Sequence, residues 1–309
     1  MSFDDASAPS RDCPALVLGG GGALGVVQAA YIEAAHQMGF RPQLVVGTSV
    51  GAMNGAVLAL DPERPEELLR IWLGINDTAL VRWSPARVAS QLWKNPLSFS
   101  SNQIVPGLLR EHFPGASFAD TKLRLGVVAT NLTRGEKRVF TEGPLGRAIL
   151  ASTAIPGVFE PVKIGGDHYV DGCISASVDM TSAVDMGATE IFAIDLTQQP
   201  PRVRPKTAVG VLKQSFAILS TSTTRAVEAC ISRQMPVRVV RPNLSKNSPW
   251  RLDDSAGAIA HNLRLAREAL IGIFDADGHV APEGTCWANG PSHETAVERP
   301  VNVERFFGN

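Results

Sequence analysis

The sequence predicts an α/β protein with three layers, α/β/α, and a mainly parallel central sheet. Its first sixty residues run in the order strand, glycine loop, helix, strand, tight turn and helix, which is typical of a parallel sheet covered by helices. Further buried strands are predicted at residues 123–130, 190–196 and 237–240. With 44% hydrophobic and 19% charged residues, the 309-residue chain has the composition of a globular protein with a substantial core.

The individual elements follow from apolar periodicity and from the turns between them. The first strand covers residues 15–18, and the helix at 26–38 ends at Gly39. A strand at 44–46 leads through a tight turn into a helix that reaches Leu60. The other predicted helices are 66–73, 146–153, 180–186, 209–234 and 256–274, and the other predicted strands are 137–141, 162–164 and 168–170.

A proline-rich connection at residues 197–205 separates an α/β core from a helical addition. Residues 275–309 contain Gly, Pro and mixed charge without clear periodicity. The predicted divisions are a disordered lead at 1–12, one domain at 13–274 with its core at 14–196 and its helical addition at 206–274, and an irregular tail at 275–309.

Composition excludes several classes of function. A net charge of −1 offers no basic domain to neutralise phosphates, so no nucleic-acid partner is expected. The four cysteines are scattered, with no Cys-x-x-Cys pair and no histidine at ligand spacing, so we expect separate thiols and no metal. The N-terminus is unlike a signal peptide, and no apolar run is long enough to cross a bilayer. We therefore expect a cytoplasmic protein and leave peripheral membrane association open.

A candidate nucleophile lies in the motif Gly47-Thr48-Ser49-Val50-Gly51, between a predicted strand and a predicted helix. Gly-x-Ser-x-Gly at such a turn is the pattern of a nucleophile elbow, which exposes the serine at a helix N-terminus. Small residues suit the turn because it leaves little room for Cβ atoms. The motif alone also occurs by chance, but its position between strand and helix favours Ser49 as a nucleophile.

The glycine run that precedes the first helix admits two interpretations. Gly20, Gly22 and Gly25 satisfy the dinucleotide-binding pattern G-x-G-x-x-G. However, the next strand of a dinucleotide site should end in an acidic residue that binds the ribose, whereas this strand ends at Gly47-Thr48-Ser49. Bare amides at a helix N-terminus also suit an oxyanion, and we favour that use beside a nucleophilic serine.

A serine nucleophile needs a base, and the sequence offers two kinds. The candidates for a conventional triad are His261, His279 and His293, with Asp195 or Asp253 as orienting acid. None of these histidines lies at a strand end, where catalytic groups of α/β sheets gather. Asp171 follows a short apolar strand and precedes a glycine, which places it at the sheet edge. Desolvation that raises its pKa would suit it as a base, whereas a simple Asp-Gly turn is the alternative.

Four motifs in order resemble those of the patatin-like phospholipase family. They are Gly20-Gly21-Gly22-Ala23-Leu24-Gly25, Gly47-Thr48-Ser49-Val50-Gly51, Ala151-Ser152-Thr153-Ala154-Ile155-Pro156-Gly157 and Asp171-Gly172. The resemblance covers residues 14–196 and is weaker as far as residue 274. It implies a Ser/Asp dyad with Ser49 as nucleophile and Asp171 as base. It also implies an oxyanion hole formed by the amides of Gly20, Gly21 and Gly22.

Three positions depart from the family pattern. Leu24 stands where the family usually has Arg or Lys, Cys173 follows Asp171-Gly172 in place of Gly or Ala, and Ser177-Val178-Asp179 replaces Asn-x-Pro. Leu24 affects the expected head group of the substrate more than the ester chemistry, because it removes a cation that would favour phosphate-bearing lipids.

The resemblance implies a serine hydrolase that acts on acyl esters of lipids without a metal or organic cofactor. Two alternatives belong to other classes. A conventional Ser/His/Asp esterase would depend on one of the three histidines, and a non-catalytic lipid-binding or regulatory protein would bind lipid without hydrolysis.

Overall fold

The computed structural model describes residues 12–75, 104–197, 205–244 and 255–281. Its strands are β1 (Pro14–Leu18), β2 (Leu44–Thr48), β3 (Arg124–Asn131), β4 (Glu136–Phe140), β5 (Val162–Ile164), β6 (Asp167–Asp171), β7 (Glu190–Ile194) and β8 (Val237–Val240). Within the described ranges they form one eight-stranded sheet in the order β5-β6-β3-β2-β1-β7-β8, with β4 also paired to β3. Strands β8, β7, β1, β2 and β3 are parallel, whereas β4 and β6 run antiparallel to β3.

Helices cover both faces of this sheet. They are α1 (Gly25–Gln37), α2 (Val50–Leu60), α3 (Glu66–Gly74), α4 (Ile104–His112), α5 (Leu145–Ser152), α6 (Met180–Asp185), α7 (Ala208–Ile231) and α8 (Ser255–Ala269). Helices α6 and α7 pack on one face, and the other helices pack on the opposite face. The predicted three-layer fold with a mainly parallel sheet is confirmed. Within the described residues, no helix combines the length and apolar character that a membrane span requires.

The central strands β1, β2 and β7 are mostly apolar, apart from end positions such as Thr48 and Glu190, because both of their faces are covered. Leu16 and Leu18 pack into the core beneath α1, whereas Ala15 and Val17 pack into the core beneath α6. Alternate residues of a strand point to opposite faces, so one strand supplies both cores. Every residue of β1 is buried, and the same holds for β2 and β7. This is why these strands read as continuous apolar runs.

Several boundaries differ from the prediction, most clearly near the C-terminus. Helix α8 ends at Ala269, five residues before the predicted end, and the chain then turns so that Phe274 bridges to Val280. Phe274 stacks on Phe40 with ring centroids 5.0 Å apart, a contact that sequence periodicity does not reveal. Helix α4 was not predicted. The predicted lead up to residue 11, the irregular stretch 76–103 and the tail from residue 282 lie outside the described residues.

Candidate active site

The pairing register along β3 brings two distant strand ends together. Residues 124–128 of β3 pair with β2, and residues 129–131 pair with β6. Strand β4 pairs along 127–131 and takes the other edge of β3, so β2 and β6 meet end to end. Thr48 pairs with Val128, and Asp171 pairs with the next residue of β3. Ser49 and Asp171 are therefore adjacent in space although 122 positions separate them.

Ser49 joins β2 to α2 in a strained conformation. Its φ is 56°, the one positive value at a non-glycine position in the described ranges. Strain of this kind costs on the order of 1–3 kcal/mol and persists where the surrounding structure enforces it. Helix α2 packs so closely on β1 that a Cβ at residue 51 would lie 2.2 Å from the Leu18 carbonyl oxygen. A Cβ at residue 47 would likewise lie 2.4 Å from the Gly51 carbonyl oxygen, so both glycines of the predicted elbow are required by close backbone contacts.

Ser152, at the end of α5, holds the elbow in place. Its Oγ accepts a hydrogen bond from the Ser49 amide at 2.8 Å and donates to the Val128 carbonyl at 2.6 Å. Ser152 is fully buried, so both bonds are shielded from water. Ser152 lies within one of the four family motifs, but no role was predicted for it. Its role depends on the packing of α5 against β3, a tertiary contact that local sequence patterns do not predict.

The Asp171 carboxylate is buried and accepts two hydrogen bonds from neutral donors. Its Oδ2 accepts from the Ser49 hydroxyl at 2.6 Å, and its Oδ1 accepts from the Cys173 amide at 2.8 Å. Burial raises the pKa of Asp171, and the hydrogen bonds from Ser49 and Cys173 oppose that rise. No cationic side chain of the described residues pairs with it. This environment favours proton uptake by the carboxylate, as a base requires.

The glycine loop passes directly over the nucleophile. A Cβ at Gly20 would lie 2.2 Å from Cys173 Sγ and 3.1 Å from Ser49 Cβ, so any side chain there would collide with the site. The Gly20 amide already donates to the Ser177 carbonyl at 3.2 Å. The amides of Gly21 and Gly22 make no hydrogen bond to other described residues. Of the three predicted oxyanion donors, these two therefore have N–H groups that no described residue occupies.

The histidines considered for a conventional triad do not reach Ser49 within the described residues. His279 Nδ1 lies 3.2 Å from Glu190 Oε1, and Glu190 begins β7. Because β7, β1 and β2 are parallel, this is the sheet edge opposite to Ser49, which follows the end of β2. His261 lies on α8 and makes no hydrogen bond to Ser49. His293 and Asp253 lie outside the described residues.

Asp195 and Leu24 both make contacts that stabilise the fold. Asp195 Oδ2 accepts from Arg241 Nε at 3.1 Å, and its Oδ1 accepts from the Thr197 amide at 2.8 Å. Leu24 is 2% exposed and packs in the main hydrophobic core. A leucine at this position therefore contributes packing beneath the loop. Among the described residues, no group of three or more His, Cys, Asp or Glu side chains has the arrangement of a metal site.

Comparison with known proteins places this constellation in a family. A lysophospholipase from Aspergillus terreus is 27% identical over 181 residues, which cover 59% of this chain and 12% of that protein. A protein of the NTE family from Mycobacterium bovis is 27% identical over 225 residues, which cover 69% of this chain and 59% of that protein. The alignments thus span less than two thirds of either relative's length.

Among solved structures, VipD from Legionella pneumophila matches with a TM-score of 0.39 and 14% identity, over 76% of this chain and 58% of that chain. The strongest assignment comes from the family comparison, in which residues 16–184 match the patatin-like phospholipase family. That match covers more than half of the 309 residues and includes the glycine loop, the elbow and Asp171. The chain therefore belongs to the patatin-like phospholipase family.

Proposed function

We propose that this protein hydrolyses acyl esters of lipids with Ser49 as nucleophile and Asp171 as base. The observation that carries the proposal is the 2.6 Å hydrogen bond from the Ser49 hydroxyl to the buried Asp171 carboxylate. The carboxylate has a raised pKa because of burial, which suits it to take the hydroxyl proton. Membership of the family supports the same chemistry.

In the proposed reaction, Ser49 Oγ attacks the ester carbonyl carbon while its proton passes to Asp171. The amides of Gly21 and Gly22 stabilise the resulting oxyanion, and the N-terminus of α2 adds a favourable dipole. The C–O bond to the alcohol then breaks, and Asp171 returns the proton to the leaving alcohol. Water attacks the acyl-enzyme, gives its proton to Asp171 and releases the fatty acid, after which Ser49 recovers its proton.

Gly20 has a steric role in this proposal. Because its amide is bonded to Ser177, its contribution is the absence of a side chain between Cys173 and Ser49. No resident metal or organic cofactor takes part in the proposed steps.

For the substrate, we propose lysophospholipids and related single-chain esters. The support is the name lysophospholipase, which several related proteins carry. Lipid esters of this kind are presented at aggregates or membranes, so peripheral contact with a lipid surface forms part of the proposal. The buried Leu24 offers no cation to a head group, and the proposal therefore assigns recognition chiefly to the acyl chain.

Fluorophosphonate labelling tests the nucleophile. Wild type should be labelled, Ser49→Ala should not, and hydrolysis of nitrophenyl esters and lysophosphatidylcholine should disappear with the label. Ser177→Ala is the matched control, because Ser177 is 8% exposed, compared with 6% for Ser49, and bonds no catalytic atom through its side chain. Retention of the label in Ser49→Ala would refute the assignment.

The histidine alternative has its own test. His261→Ala and His279→Ala should keep wild-type kcat in a folded protein, because neither side chain bonds Ser49. Loss of both labelling and turnover in either variant, with folding intact, would replace the dyad by a conventional triad. Vesicle binding by wild type without labelling or hydrolysis would instead support a non-catalytic lipid-binding protein.

A further inference from the structure

Helix α7 extends past the edge of the sheet that carries Ser49. Its C-terminus leads into β8, which runs parallel to β7, so α7 runs antiparallel to the central strands. Its 24 residues span about 36 Å, whereas a five-residue strand spans about 17 Å. The N-terminal half of α7, residues 208–219, therefore projects from the carboxyl edge of the sheet. We call it the projecting half.

Burial along α7 agrees with this placement. Its buried residues are Ser220, Thr224 and Ile231, all in the second half of the helix. In the projecting half, none of the side chains that the structure describes is buried. The described chain before α7 ends beside the active site, because Leu196 packs against Gly21 and Thr197 bonds Ser177. The projecting half thus belongs to the same side of the molecule as the nucleophile.

The exposed face of the projecting half is mainly apolar. Its exposed large side chains are Val211 (48%), Leu212 (71%), Phe216 (38%), Ile218 (48%) and Leu219 (61%). At 100° per residue they cover an arc of about 160°, on the side opposite to the stripe of Ser220, Thr224 and Ile231, and Ser215 is the polar residue within it. An exposed, mainly apolar arc that faces away from the protein body is typical of a surface that meets an apolar partner.

The charged residues of α7 and of the segment just before it have one sign as far as residue 227. Among the described residues 205–227, Lys206, Lys213 and Arg225 are basic and none is Asp or Glu. An apolar helix face within a basic segment fits an anionic lipid surface, because apolar side chains enter the interface while cations attract the phosphates. A second copy of the chain would bring two basic segments together, which disfavours that partner.

We propose that the projecting half docks on bilayers that contain anionic phospholipid and thereby holds the Ser49 edge of the sheet at the lipid surface. This inference rests on the proposed function, because docking would bring Ser49 to a lipid substrate. Its physical basis is independent of catalysis and consists of the projection, the apolar arc and the one-signed charge.

Sedimentation with vesicles tests the proposal on the full chain. Vesicles of ether-linked phosphatidylcholine and phosphatidylglycerol contain no ester, so binding is measured without hydrolysis. Wild type should bind the mixed vesicles and lose binding in high salt. Leu212→Glu combined with Leu219→Glu should lower partitioning by about tenfold or more, because two apolar anchors are lost.

A matched pair of single variants separates docking from general surface effects. Ile218 and Ile271 are each 48% exposed, but Ile271 follows α8 near Phe274, at the opposite edge of the sheet. Ile218→Glu should weaken vesicle binding, whereas Ile271→Glu should leave it unchanged, with circular dichroism confirming that both variants fold.

Three results would overturn the docking proposal. They are absence of wild-type binding, equal loss in Ile218→Glu and Ile271→Glu, and dissociation of an oligomer by Ile218→Glu with vesicle binding retained. Hydrolysis of a soluble nitrophenyl ester should be the same in all these variants. If wild type hydrolyses no ester yet binds vesicles, the proposed function fails and the docking inference stands.

Discussion

Three buried aspartates of the described residues have different partners. Asp179 is 2% exposed and pairs with Lys137 at 2.9 Å, and Asp195 is 2% exposed and pairs with Arg241 at 3.1 Å. Asp171 is 3% exposed and receives hydrogen bonds from a hydroxyl and an amide. Burial of a carboxylate is costly unless a cation or several donors compensate it. Two of these carboxylates thus pair with cations, whereas Asp171, beside the strained Ser49, has no cationic partner among the described residues.

This difference separates structural carboxylates from the proposed catalytic one. A cation beside Asp171 would favour the charged form and weaken it as a base. Neutral donors leave the pKa of Asp171 raised by burial, and they also fix the direction of the carboxylate. The site thus accepts a less stable charge in exchange for basicity, as expected where function competes with stability.

The largest effect should come from removing the charge of Asp171. We expect Asp171→Asn to lower kcat for a soluble ester by about a thousandfold or more, because the hydroxyl of Ser49 then has no base. Asp179→Asn is the control, and it should change kcat by less than about tenfold while the protein remains folded, because Asp179 touches no reacting group. Similar losses in both variants would erase the distinction between the two carboxylates.

The next largest effect should come from filling the space between Gly20 and Cys173, beside Asp171. Gly20→Ala should lower kcat by about a hundredfold, because the new Cβ would meet Cys173 Sγ at 2.2 Å and displace the oxyanion loop. Adding Cys173→Gly should restore part of the activity by removing that sulfur. Gly107→Ala, at a position with nothing within 4 Å, should be silent in the same steady-state assay. A double variant no better than Gly20→Ala would show that the sulfur contact is irrelevant.

Stability should respond in the opposite order to activity. Asp179→Asn should lower the free energy of unfolding by about 2 kcal/mol, since Lys137 loses its charged partner. The folded-state pKa of Asp171 is raised, so its ionisation costs stability as pH rises through that pKa, and at pH 7 the cost is present. Asp171→Asn should therefore leave the free energy of unfolding unchanged or increase it by about 1 kcal/mol. Urea denaturation at pH 7 measures both, and a large loss in Asp171→Asn would contradict the comparison.

The smallest effect is the position of the acidic limb of the pH profile. Asp171 must be ionised to accept a proton, and burial raises its pKa above the ordinary value of 3.8. We expect kcat/KM for a soluble ester to fall about tenfold per pH unit below that raised pKa and to be level above it. Initial-rate assays across pH 3–8, with a stability check at each pH, measure the position of the acidic limb. A limb at or below 3.8 would mean that the carboxylate is effectively solvated.

Much of the fold was predictable because its signals are local. The apolar runs of β1 and β2, the glycine loop and the Gly-x-Ser-x-Gly turn each depend on neighbouring residues alone. Strand β8 was predicted with its observed bounds, and α7 was predicted to within three residues at its C-terminus. The end of α8 was missed although Gly272, whose φ is 74°, lies in the turn after Ala269, because apolar residues continue beyond that glycine and Phe274 packs on Phe40.

The candidate site was predictable in its residue types but not in its supports. Ser49 and Asp171 stand out as a nucleophile motif and a carboxylate after a strand. Ser152 gives no comparable signal, because its bonds to Ser49 and Val128 arise only when α5 lies on β3. Likewise, the occupied amide of Gly20 depends on Ser177, which lies far away in the sequence.

By itself, the sequence determined the layer architecture, the elbow and the two groups proposed to react. Periodicity and turn residues act over a few positions, so they are readable without a structure. Only the tertiary structure decided that β2 and β6 share one edge of β3, which sets Asp171 against Ser49 at 2.6 Å. It also decided which buried carboxylates form a salt bridge with a Lys or Arg side chain. Partners of this kind come from strands and helices distant in the chain, and their choice depends on how the whole core packs.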